Sequence, residues 1–228
     1  MSDTPAASAP PQPAPLDELT PAELRPHLVR AMLPHVAFDG WTWTAVDAAA
    51  DELGIPRARA RLAFSGPIDM ADAFTAMADD DMTAALAAEG VGAMKIRERI
   101  TRAVEVRLEQ AMPHREAVRR ALAQLALDPP RAARTLWRTA DAMWRAAGDT
   151  ATDFNFYTKR AILGAVYSST LLAWLSDESQ DMADTRAFLR RRIEGVMRFE
   201  KAKAQWRGMA ERLPDPVRFL GRLRYPGV

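Results

Sequence analysis

The chain has 228 residues, 48% hydrophobic and 27% charged, the make-up of an ordinary globular protein and too apolar for wholesale disorder. Its 31 Lys and Arg balance 30 Asp and Glu, so no global field directs it to nucleic acid. It has no Cys, which excludes disulfides, thiolate metal sites, iron–sulfur clusters and a Cys nucleophile. Nor does it contain an uncharged apolar run of about 18 residues, the length a spanning helix needs.

Residues 1–20 form a tail rich in Pro and Ala, with little to bury. Met1 to Leu16 holds five prolines and no basic residue, so neither a signal peptide nor an Arg-rich transit peptide is expected there. Residues 21–66 read as a helix-turn-helix subdomain. A stripe runs through Leu24–Val36, then Thr44 to Leu53, Gly54 in the turn, and Pro56 to Phe64. From 67 to 212 a helical domain is predicted, with stripes at Ile68–Leu86, Ile96–Leu108, Val118–Leu125, Arg131–Ala147 and Phe188–Met197. Breakers (Gly66-Pro67, Gly90, Gly92, Pro113, Gly148) separate them. Asp128 before Pro129 is an N-cap and first-turn pair. The expected fold class is all-α, with roughly nine or ten helices joined mostly by short loops.

Two regions depart from simple amphipathicity. Ala161 to Leu175 carries no charge, so a helix there is apolar all round and expected to be central. Residues 213–228 form a second unusual stretch. On a helical wheel Val217, Phe219, Leu220 and Leu223 share an arc of about 160°, with Arg218 and Arg222 pointing away. That is the layout of a basic interfacial helix, although packing on its own domain or on a second copy would use the same arc.

Catalytic inventory is thin. There is no G-x-S-x-G and no phosphate loop, and Glu-x-x-His, which a di-iron bundle needs twice, does not occur. Three histidines, His27, His35 and His114, are scattered. Asp79, Asp80 and Asp81 read as a solvated face. A DNA-binding reading rests on Arg57, Arg59 and Arg61. Their two-residue spacing spreads them over roughly 200° of a helix, and no Asn or Gln stands among them to read an adenine edge.

Four stretches carry a family resemblance: His35–Trp41, Met94–Ile100, Leu136–Asp141 and Ala147–Tyr157, the last containing Thr152-Asp-Phe-Asn-Phe-Tyr157. They resemble the Coq-nine family of ubiquinone-biosynthesis accessory proteins over about Leu24 to Met209. The resemblance implies a TetR-like fold with a helix-turn-helix not used for DNA, and a protein that is not an enzyme and has no cofactor. It implies binding of an isoprenoid quinone precursor or a phospholipid, and its presentation to the demethoxyubiquinone hydroxylase. A homodimer and peripheral attachment to a membrane surface are expected, on the cytoplasmic face of a bacterial inner membrane.

Two sites follow for this sequence. Trp137, Trp144, Ile162, Ala165, Tyr167, Ser169 and Leu172 are candidates to line an apolar cavity, small residues leaving volume and aromatic ones supplying faces. The same residues also suit an ordinary buried core. Asp153, Phe156, Tyr157 and Arg160 fall at i, i+3, i+4 and i+7 and are expected on an outer face, Phe154, Ala161, Ile162 and Ala165 being turned to the core. An aromatic pair between a carboxylate and a guanidinium suits an interface anchor. In the family that patch meets the hydroxylase, with Trp more usual at the position of Phe156. Its C-terminal amphipathic helix engages membranes, which assigns that role to Val217, Phe219, Leu220, Leu223, Arg218 and Arg222. The alternative is a TetR-like transcriptional regulator whose pocket senses an apolar effector.

Overall fold

The computed structural model describes residues 15–149 and 154–210, with side chains through Arg198 and none for 154–155. Among these residues there are nine α-helices and no strand. They divide into two compact units, residues 1–152 and 153–228.

The first unit holds α1 (Pro21–Asp39), α2 (Trp43–Leu53), α3 (Arg57–Arg61), α4 (Pro67–Glu89), α5 (Ile96–Ala111), α6 (Arg115–Leu125) and α7 (Pro129–Ala146). Its helix starts are written in the sequence. Thr20 and Glu23 form a capping box ahead of α1, Thr42 caps α2, and Asp128 accepts from Arg131 N–H ahead of α7. Gly54 closes α2 in the left-handed region, φ 68°, a conformation that costs other residues about 1 kcal/mol or more. With that turn α3 follows α2 at once. The predicted second helix is nevertheless short, five residues in place of Pro56–Phe64. Leu62 caps it, and Phe64 lies buried under the Arg25 guanidinium, 5.4 Å from its ring centroid.

The core of this unit is built around α4. Leu24, Leu28, Met32, Trp41, Met70, Met82 and Leu108 are almost wholly buried, and burying such a side chain stabilises by about 1.5–3 kcal/mol. Trp41 packs on Phe74 with ring centroids 5.0 Å apart and donates its indole N–H to Ala117 O. A row of α4 carboxylates then draws in cations from three helices. Asp69 meets Arg25 at 2.6 Å, Asp72 meets Arg138 at 2.8 Å, Asp79 meets Arg107 at 3.2 Å and Asp81 meets Arg30 at 2.5 Å. The reading of Asp79 as part of a solvated face is therefore corrected: it is 3% exposed and also accepts two contacts from the Thr139 hydroxyl.

These carboxylates also set the rotation of α7. Thr135 donates to Asp72 and Thr139 to Asp79, so Thr135, Thr139, Ala140 and Met143 are the buried residues. The apolar stripe read from the sequence is displaced accordingly: Ala133 is exposed and Leu136, Trp137 and Trp144 are half-buried.

The second unit is a hairpin of α8 (Phe154–Leu175) and α9 (Ala183–Ala210). Its turn is held by side chains. Trp174, fully buried, donates to Met182 Sδ at 3.1 Å. Asp177 accepts from the backbone and hydroxyl groups of Ser179 and Thr185, and Ser179 Oγ takes the Asp184 N–H. The first turn of α9 thereby has side-chain acceptors for two of its free N–H groups. The cost is two consecutive non-glycine residues at positive φ, Asp181 at 52° and Met182 at 56°.

Candidate functional site

Members of both candidate sets fall on α8, and its uncharged sequence does not announce how it is turned. One face is buried: Arg160, Leu163, Val166, Tyr167, Thr170, Leu171 and Trp174. The other carries Tyr157 and Leu172, each 62% exposed, with Ala161 and Ala165 exposed between them. The steps of four and seven residues from Tyr157 to Leu172 keep this stripe on one side. Tyr157, Ala161, Ala165 and Leu172 thus make a solvent-facing strip with no charge, not the all-round burial expected.

The cavity candidates on this helix do not share one face. Ile162, Ala165, Ser169 and Leu172 lie toward the open side, half-buried or exposed. Tyr167 is 5% exposed and, two residues from Ala165, points about 200° away from it. Ser169 and Thr170 donate to backbone carbonyls a turn earlier, and Ser169 Oγ accepts from Arg192 Nε of α9 at 3.2 Å. On α7, Trp137 and Trp144 stand seven residues apart on one half-buried side.

Phe156 and Tyr157 form an edge-to-face pair, centroids 5.1 Å apart and planes at 76°. Tyr157 is open to solvent, as expected, and Phe156 is half-buried. The placement of Arg160 is corrected. It is 2% exposed, its guanidinium lies 3.4 Å from the centroid of the Phe156 ring, and Nη1 donates to Phe156 O at 3.1 Å. The arginine follows the ring face instead of the solvent, because a weakly hydrated planar cation stacks well on an aromatic. Ala161 and Ala165, expected toward the core, are exposed, and Ile162 is half-buried. Asp153 lies outside the described residues. So do Val217, Arg218, Phe219, Leu220, Arg222 and Leu223.

Sequence reasoning missed a cavity in the first unit. It measures about 140 Å³ between α1, α4 and α5, lined by Leu33, Phe74, Met77, Arg107 and His114 among others. A site of roughly 150 Å³ takes a benzene-sized molecule, so this one is far too small for a polyprenyl chain. Burial holds the His114 imidazole below its ordinary pKa.

The helix-turn-helix arginines are engaged. Arg57 reaches Asp51 through Nε and Nη2 at 2.9 and 2.6 Å, and Arg61 reaches Asp47 through the same atoms at 2.8 and 2.5 Å. Arg59 donates to Leu19 O. Phosphate contacts by Arg57 and Arg61 would have to displace two bidentate carboxylates. Among the described residues no group of three or more His, Asp or Glu is arranged to hold a metal ion, and no helix is long and apolar enough to cross a membrane.

Residues 129–200 match the COQ9 family, a span covering α7, α8 and most of α9. Over 200 residues the chain is 32% identical to the mitochondrial ubiquinone biosynthesis protein COQ9 of Homo sapiens, covering 84% of this chain and 63% of that protein. With its Drosophila melanogaster counterpart it shares 27% over 192 residues, 82% of this chain and 59% of the other. The chain thus spans about 63% of the length of the human relative. Among solved structures, a TetR transcriptional regulator from Nitrosomonas europaea superposes with a TM-score of 0.59 at 22% identity, over 75% of this chain and 96% of the other. That likeness establishes the expected all-α, TetR-like fold. Over most of its length this chain is thus similar in sequence to COQ9 proteins, and it carries a TetR-like fold.

Proposed function

We propose that this protein is a non-catalytic, lipid-binding accessory factor that presents an isoprenoid quinone intermediate to the demethoxyubiquinone hydroxylase at a membrane surface. The likeness to COQ9 proteins across 84% of the chain is the observation that carries the reading. The uncharged strip on α8 supports it physically, because a solvent-facing apolar strip is what a protein keeps for a partner or a lipid. Tyr157, exposed at its end, is the partner anchor. The C-terminal residues 213–228 supply membrane attachment, on the cytoplasmic face of a bacterial inner membrane, and the factor works as a homodimer.

The test is reconstitution with the hydroxylase and its membrane-embedded substrate. Adding this protein raises hydroxylase turnover in the proposed role; turnover unchanged at saturating protein contradicts it. A regulator role is disfavoured by the Asp47 and Asp51 carboxylates held on Arg61 and Arg57. A sequence-specific gel shift at physiological salt would reinstate it.

A further inference from the structure

The cavity between α1, α4 and α5 has an apolar body and a polar rim. Leu33, Phe74 and Met77, all buried, form the body. The Phe74 ring packs on Trp41, 5.0 Å away, whose indole N–H is anchored on Ala117 O. Both lining cations have carboxylate partners: Arg30 meets Asp81 at 2.5 Å and Arg107 meets Asp79 at 3.2 Å. His114, in the single turn Met112–His114 after α5, differs from these. Among the described residues its imidazole has no hydrogen-bond partner. Burial favours the neutral form, which keeps one ring nitrogen as an acceptor.

We propose that this cavity is a binding site for a neutral, single-ring hydroxyaromatic compound, with His114 accepting its O–H. Three observations choose that class. A volume of about 140 Å³ takes one benzene-sized ring and leaves no room for a fused ring system or a long alkyl chain. The wall of Phe74 and Met77 offers a ring and a thioether, both of which favour an aromatic guest. With Arg30 and Arg107 each matched by a carboxylate, a charged guest would lose its hydration without gaining a counter-ion. One hydroxyl then suffices for the one acceptor nitrogen of His114. The site lies within the first unit and shares no residue with the strip on α8, so it is a second ligand site beyond the lipid role proposed above.

The test titrates the full chain with phenol, benzene and benzoate at neutral pH, followed by ligand-observed NMR. Phenol saturates one site. Benzene binds about 5- to 10-fold more weakly for want of the hydrogen bond, and benzoate does not bind. His114→Leu weakens phenol by the same factor and leaves benzene unchanged, which brings the two level. Ala78→Leu places a larger side chain in the cavity lining and abolishes binding of both, with a thermal melt to confirm that each variant folds. If Ala78→Leu does not fold, His114→Leu decides alone, because His114 is only half-buried. The proposal is overturned by the absence of saturable phenol binding, by benzoate binding more tightly than phenol, or by a phenol affinity that His114→Leu leaves unchanged. None of these results bears on the lipid role, which is read from hydroxylase turnover.

Discussion

Arg107 Nε donates to the Asp79 carboxylate at 3.2 Å, with the two residues 4% and 3% exposed where α5 packs on α4. A buried pair of this kind stabilises little against an apolar substitute, yet losing one member is expensive. Asp79→Ala is expected to lower stability by about 3–5 kcal/mol, measured by urea denaturation. The double variant Asp79→Leu, Arg107→Met should recover most of that loss. Burial holds the Asp79 carboxyl above its ordinary value of 3.8. Stability therefore declines as pH rises from 3.8 through the raised folded value, where burial makes ionising this carboxyl costlier in the folded chain than in the unfolded one.

Asp177 gives the opposite pH dependence. Burial raises its carboxyl, but the hydrogen bonds from Ser179 and Thr185 outweigh this and hold it well below the usual carboxylate range. The stability it supplies is present above 3.8 and disappears as pH falls through the depressed folded value. Asp177→Ala is expected to cost about 2 kcal/mol, as loss of a strong helix cap does. Thermal melts at neutral pH and at about pH 2 check it: the difference from the parent chain narrows in acid.

Tyr157→Ala should leave the melting temperature within a degree or two, because the ring is 62% exposed, and should weaken hydroxylase binding by about 2 kcal/mol, as a hot-spot aromatic does. Titration calorimetry beside a thermal melt separates the two. A large melting loss with normal binding would return Tyr157 to the core.

Much of this architecture is legible in the chain. Asp128 and Gly54 mark helix ends by local chemistry that needs no tertiary partner. Rotations are less legible. The Thr135 and Thr139 hydroxyls turn α7 toward carboxylates sixty residues away, an interaction invisible to periodicity. In α8 the uncharged run gives no polar face to set the phase. Arg160, read from the sequence as outward, is drawn inward by the Phe156 ring. The burial of Asp79 is hidden in the same way, since Asp79, Asp80 and Asp81 look alike until Arg107 and Thr139 are placed.

Membrane attachment is proposed for residues beyond those the structure describes, with Val217, Phe219, Leu220 and Leu223 as the apolar arc and Arg218 and Arg222 beside it. Each arginine near an anionic leaflet contributes about 1 kcal/mol, so attachment is reversible and weakened by salt. The full chain should co-float with anionic liposomes at low salt, and a chain ending at Arg212 should not. Equal flotation of both at low and high salt withdraws the assignment.

The central claim is that this protein carries an apolar ligand for a partner to modify. Mass spectrometry of organic extracts from the purified full-length protein tests it most directly. The account predicts an isoprenoid quinone or a phospholipid at a stoichiometric fraction of the protein. Extracts free of lipid, from protein purified without detergent, would contradict it.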